Sequence, residues 1–519
     1  MAERWRRGLP GFDFQLLQAA DWGALYQDMM LCALRRKRYT EAWAYTERQK
    51  ARAWREWLVQ MDASPEVIQS ELAAEGLSQF LPEEGTALVS FNVTHRGSVA
   101  FIMHRQGVES GEPPQDAGDW SPLPALTGPV GTPHLEVVTM PGFTRDDLEW
   151  MLITREREVG LRAVVSEDYL RIAEPLGRAV GGWLVDYYRF QNEQTDETCA
   201  RWLVTLAETG RVLYEKLLRP VVERLDALGV QRLILVPSLG LHLLPLHAAS
   251  PGDSGEHTLL DDYEISYAPA ALVWRHCRER ETKVCEGLLV AAANPTGDLP
   301  FAGYEVQSIR TQFPPGKSTT LWREEATQEN VLARAGEAGY LHLACHGLFD
   351  LVDPLESQLS LADGDLTLRD VLGQLRLSDA RLVVLSACET GVSEFRALAD
   401  EVIGLPAGFL MAGATAVMAS LWAVNDLSTA LLMERFYHNL LAEQQRPSAA
   451  LRAAQLWLRQ VQAGELAARF EAERRRPNDE RTMTYEQAST AWRRFVAMRP
   501  DAHPFAHPYY WAAFTLSGA

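Results

Sequence analysis

Five short apolar runs set the strongest limit on how this chain can fold: "RLILVPS" (232–238), "GLLVAAANP" (287–295), "YLHLACHG" (340–347), "RLVVLSACETG" (381–391) and "ATAVMASLWAV" (414–424). Each has the length of a β-strand, and helix-like runs such as Thr327 to Ala335 and Leu368 to Leu375 lie between several of them. Strands that are apolar throughout, with no polar alternation, must be covered on both faces. That requirement predicts a parallel sheet buried between helices, an α/β fold. In such sheets ligands and chemistry sit beyond the carboxyl ends of the strands. The residues at those ends therefore carry the functional reading.

The remainder of the chain is organised differently. "TALVSFNV", "GSVAFIMHR" and "LEVVTMP" read as further strands, the first two as a hairpin turning around Thr94 to Gly97. Thr144 to about Leu228 reads as helical, interrupted at Gly181 and Gly182. From Asp21 to about Gln60, Leu25, Met29, Cys32 and Ala33 form one apolar stripe, and Ala42, Tyr45 and Ala51 form another. A polar break near Lys37 to Thr40 separates them, which predicts a helix hairpin. It resembles a single tetratricopeptide-like unit, with Tyr39, Glu41, Ala42, Tyr45 and Ala51 at turn and packing positions. Roughly three such units are needed for a stable array, so a lone one must pack on the adjoining domain. Arg35, Arg36, Lys37 and Arg38 read as a solvated turn or as a docking surface for an acidic partner. The segment 465–495 is strongly charged and reads as helix, loop at Pro477 to Asp479, and helix. These divisions predict a helical segment 1–82, a first part of the sheet domain at 83–230, and a second part at 231–519.

Composition narrows the function. A chain of 519 residues exceeds what one hydrophobic core supports, and its formal charge of −19 is opposite to what a general nucleic-acid binder needs. The first residues lack the apolar core of a signal peptide, and no uncharged apolar stretch approaches membrane-spanning length, so the expected location is the cytoplasm with no membrane partner. Six cysteines are scattered without a CxxC pair, which points away from a disulfide framework or a zinc ribbon. No metal or organic cofactor is expected.

Two histidines and a cysteine interrupt "YLHLACHG". Read as a strand, the run would place His342 and His346 about 13 Å apart, too far to share a metal ion. Read as a helix, the pair would lack the glutamate of the HExxH pattern, because residue 343 is Leu. His342 is assigned a structural role. His346 differs: it closes the strand, at the functional edge, and precedes Gly347. The neighbouring run "RLVVLSACETG" ends in the same way at Cys388. If the two strands are adjacent, His346 and Cys388 emerge together, the geometry of a thiol nucleophile with a histidine acid–base partner. The N–H groups of Gly347 and Cys388 would then serve as an oxyanion hole. Chemistry alone leaves this pair balanced against two well-packed strand ends. There is no GxSxG elbow to suggest a serine hydrolase.

"LHLACHG" followed by "LVVLSACETG" resembles the signature of the CHAT domain, a caspase-like module found with tetratricopeptide repeats in bacterial proteins. "LILVPSLGLHLLPLHA" (233–248), "ANPTGDLPFAGYE" (293–305), "EEATQENVL" (324–332), "GLPAGFLMAGATAVMASLWAVND" (404–426) and "HPYYWAAFTLSG" (507–518) follow in the family's order, so the likeness covers roughly 83–519. The resemblance implies a caspase–haemoglobinase type fold, in which a degenerate partner subdomain precedes an active protease subdomain. It also implies cysteine endopeptidase activity, with the family's histidine at His346 and its cysteine at Cys388. It further implies a specific protein substrate, a protein regulator, and a setting in bacterial defence or regulated cell death. In the related separases and gingipains, acidic residues bind a basic side chain beside the cleaved bond. Asp426 is the best matching position, with Asp400 and Glu401 as further candidates. Asp426 and Asp400 are equally placed to begin helices. The alternative to an enzyme is a non-catalytic interaction module on the same fold.

Overall fold

The computed structural model describes residues 25–50, 54, 78–105, 123, 131–132, 134–153, 182–252, 257–281, 287–350, 353–387 and 404–519. Two compact units meet in sequence between Tyr263 and Glu264.

In the unit before that boundary, β1 (Thr86–Thr94) and β2 (Gly97–Met103) form the expected antiparallel hairpin. β3 (Gly131–Thr132) and β4 (Leu135–Met140) extend it beyond β2, and β5 (Arg232–Val236) lies parallel to β1, giving the order β3-β4-β2-β1-β5. Every residue of β1, β2 and β4 is buried. Residues 25–35 and Tyr39–Lys50 are both helical, with a turn between them, so both arms of the hairpin form; Ala51 lies outside the described residues. The second arm docks through polar contacts at the middle of β1 and the carboxyl end of β5. The buried Lys50 Nζ donates to Ser90 Oγ at 3.1 Å and to the Val236 carbonyl at 2.9 Å, and Ser90 Oγ donates to Glu47 Oε1 at 3.0 Å. A buried ammonium is tolerated because its donors are matched.

The second unit holds the larger parallel core. Its strands are β6 (Glu264–Tyr267), β7 (Leu288–Ala293), β8 (Ser318–Trp322), β9 (Ala338–Ala344), β13 (Leu382–Ser386), β14 (Ala416–Ser420) and β15 (Phe514–Gly518), in the order β6-β15-β14-β13-β9-β7-β8. From β14 to β8 all neighbours are parallel, whereas β15 is antiparallel to β14. β9, β13 and β14 are buried along their whole length, as their apolar sequences require. The backbones at the start of β9 and before β7 nearly touch: a Cβ at Gly339 would stand 2.2 Å from Gly287 Cα, so only glycine fits there. Between β9 and β13 the chain forms a separate antiparallel sheet of β10 (His346–Leu348), β11 (Gln358–Leu361) and β12 (Gly364–Thr367).

Helices cover the core. Ala302–Arg310 packs on Asp426–Leu441, and Leu405–Met411 packs on β14 and on Leu368–Gln374. The charged segment forms the helices Ala463–Arg475 and Tyr485–Val496, as its sequence predicts. It is anchored to this core by Arg469, which pairs with Glu434 and Tyr304, and by Gln487, whose side-chain amide donates to the Pro300 carbonyl.

Candidate active site

β9 and β13 are parallel neighbours in which Leu343 faces Leu385 and Ala344 faces Ser386. β9 stops at Ala344, earlier than the run 340–347 suggests, because the chain just beyond it pairs in a different sheet. The Ala344 carbonyl accepts the Asn294 N–H at 2.9 Å, and His346 already belongs to β10, where it faces Ser360. The side-chain alternation expected through His346 is therefore broken at Cys345, which is itself only 2% exposed.

His346 leaves the sheet with 39% of its side chain exposed and its Nε2 2.9 Å from Asp298 Oδ1. Asp298 stands in the loop 294–301 between β7 and the helix Ala302–Arg310. This loop turns through left-handed backbone at Asn294 (φ 50°) and Gly297 (φ 85°), and Asn294 Oδ1 accepts the Leu299 N–H at 3.0 Å. The Thr296 hydroxyl and the His346 imidazole hold the Asp298 carboxyl below the usual carboxylate range. Asp298 is thus an anion at neutral pH and accepts a hydrogen bond from Nε2–H, which leaves Nδ1 as the ring nitrogen that can take a proton.

Asp426 is the first residue of the helix Asp426–Leu441, but the cap is Asn425, whose side chain accepts the Ser428 N–H. The capping role open to Asp426 in the sequence is filled by its neighbour. Instead, Asp426 Oδ2 accepts the Phe301 N–H at 2.7 Å, tying loop 294–301 to the helix; its Oδ1 takes no hydrogen bond among the described residues. Burial pushes the Asp426 carboxyl up to about 6; Glu305 adds to the rise, and the Phe301 N–H and His346 oppose it. Because the folded value is raised, the stability it contributes is present below the unfolded value and lost as pH climbs through about 6. Asp426→Asn keeps an acceptor for Phe301 and removes the titration. Urea unfolding should show the native protein losing on the order of 2 kcal/mol relative to Asp426→Asn between about pH 4 and pH 7. Parallel stability curves would contradict the burial.

Gly347 pairs with Leu359 in β10. Cys388, Asp400 and Glu401 lie outside the described residues. His342 is fully buried, with Nε2 2.8 Å from Glu305 Oε1 and Nδ1 3.3 Å from the Tyr437 hydroxyl. Burial drives Tyr437 well above its ordinary value, so the phenol keeps its proton and donates to Nδ1. His342 is structural, as its place within the strand indicates. Asp298 and Glu305 were not singled out from the sequence; the signal available was their place in "ANPTGDLPFAGYE", which comes directly after a strand at the functional edge. Among the described residues, no group of three or more His, Cys, Asp or Glu side chains is arranged to hold a metal ion, and no helix is long and apolar enough to cross a membrane.

The buried parallel core with covering helices and a short side sheet defines a caspase-like α/β fold. Separase of Saccharomyces cerevisiae, solved in its complex with securin, aligns with 92% of this chain at 9% identity and a TM-score of 0.50. This chain spans about a third of that separase chain, with 33% covered. The Arg-specific cysteine proteinase gingipain R of Porphyromonas gingivalis aligns over 63% of this chain and 69% of its own, at 10% identity and a TM-score of 0.33. Residues 207–519 match the CHAT domain, and the chain belongs to that family. Comparison with curated proteins finds no match.

Proposed function

We propose that the chain is a cysteine endopeptidase in which Cys388 is the nucleophile and His346 its acid–base partner. The observation that carries this reading is the register of β9 and β13. Ala344 faces Ser386, and His346 and Cys388 each come two residues later in the chain. Asp298 orients the imidazole, so that Nδ1 takes the thiol proton. The thiolate attacks the scissile carbonyl carbon, and the oxyanion is held by the N–H groups of Gly347 and Cys388. His346 returns the proton to the leaving amine, and water then hydrolyses the thioester with His346 as base. The free oxygen of Asp426, with Asp400 and Glu401 as further candidates, recognises Arg or Lys on the acyl side of the bond. In line with the separase–securin complex, a protein regulator acts on the peptidase, and the N-terminal hairpin is its route. Its setting, following the family, is bacterial defence or regulated cell death.

Biotinylated peptidyl acyloxymethyl ketones test this reading on the full chain. They should label Cys388, do so fastest with Arg or Lys beside the warhead, and lose the label in His346→Ala. Asp426→Asn should remove the preference for a basic residue. Failure of every such probe to modify Cys388 in folded protein would overturn the assignment.

A further inference from the structure

A cleft of 690 Å³ opens beside the loop that carries Asp298. Asn294 and Pro300 line it from that loop, Arg481 and Tyr485 from the charged segment, and Trp322 and Arg323 are also among its lining residues. Its chemistry runs against that of the whole protein. Acidic residues outnumber basic ones 69 to 50 in the chain, yet no Asp or Glu lines the cleft and two arginines do.

Neither arginine is neutralised by a carboxylate among the described residues. Arg481 donates to Asn478 Oδ1 and to the Arg474 carbonyl, and its Nε is buried with no acceptor. Arg323 holds a left-handed backbone, φ 44°, a conformation that costs a non-glycine residue on the order of 1 kcal/mol and recurs at functional sites. Guanidinium N–H groups with no carboxylate partner bind a carboxylate through charge-assisted hydrogen bonds. The two aromatic rings supply apolar surface for the stem of a side chain, and the volume falls within the range of ordinary ligand sites.

Resting on the endopeptidase reading, we propose that this cleft is a subsite for an acidic side chain, Asp or Glu, of the polypeptide substrate. Arg323 and Arg481 bind the carboxylate, and Trp322 and Tyr485 flank it. The charged segment thereby has a function: it forms one wall of the substrate site, held to the active-site loop by the bond from Gln487 to Pro300.

Binding is measured on full-length Cys388→Ala protein, which does not turn substrate over, by fluorescence anisotropy. The probes are fluorescein-labelled octapeptide libraries with Glu or Gln fixed at each position in turn. At one position the Glu library should bind about tenfold more tightly than its Gln counterpart. Arg323→Gln and Arg481→Gln should each reduce that advantage, the double variant should abolish it, and Arg481→Lys should retain part of it. Unchanged affinity for the Gln libraries shows that the variants are folded. No advantage for Glu at any position overturns the proposal, as does an advantage that survives in the double variant. Cleavage of the same libraries by wild-type protein separates the two readings. A Glu preference in binding without cleavage refutes the peptidase and keeps the subsite, whereas cleavage indifferent to Glu refutes the subsite and keeps the peptidase.

Discussion

Cys388→Ala is expected to lower kcat/KM for peptide cleavage by roughly 10⁴ or more, since losing the nucleophile removes the covalent route altogether. His346→Ala should cost about 10² to 10⁴, the usual contribution of a positioned acid–base group. The informative control is Cys345→Ala, because that thiol is adjacent to His346 in sequence and is in no disulfide. At 2% exposure it behaves as a small apolar group, and its loss should leave most of the activity. Initial rates for the three variants on one fluorogenic peptide settle the order. An active Cys388→Ala protein, or an inactive Cys345→Ala protein of unchanged melting temperature, would refute the dyad.

The second large effect is on stability. His342 and Glu305 are 0% and 2% exposed, and each is the other's charge-assisted partner. Glu305→Ala leaves a neutral imidazole N–H buried without its acceptor and should destabilise the fold by about 1–3 kcal/mol in chemical denaturation. Glu305→Gln retains an acceptor and should lose markedly less. Replacing both partners by apolar residues, as in Glu305→Leu with His342→Phe, should recover much of the deficit of the single alanine variant, because no orphaned polar group remains. A loss below about 1 kcal/mol in Glu305→Ala would show that water reaches the pair. Glu305 also raises the Asp426 carboxyl, so Glu305→Gln should bring that group back toward the ordinary carboxylate range.

Much of the fold was legible in the sequence. The apolar runs around Leu289, Leu341, Val383 and Val417 are the strands β7, β9, β13 and β14, because a strand covered on both faces leaves an unbroken apolar signature. The helix-like runs from Thr327 and from Leu368 were equally plain, and the structure shows how they start: Thr327 and Thr367 are the caps, each accepting the N–H of the residue three further on. The strand end at Ala344 was not, because Cys345 to Gly347 have the same local character as the residues before them. What stops β9 is the competing partner β11, which is not local.

The sequence by itself therefore determined the layered α/β class and the family, because these depend on periodicity and on short contiguous motifs, and the same motifs proposed Cys388 and singled out the histidines His342 and His346. Only the tertiary structure decided which charges serve them. Asp298 is 48 residues from His346, Glu305 is 37 from His342, and the Phe301 N–H that holds Asp426 is 125 residues away. No local pattern encodes such pairs, since hydrogen bonds and burial act through space, and the carboxylate that meets each imidazole is chosen by how a loop and a helix close over the end of the sheet.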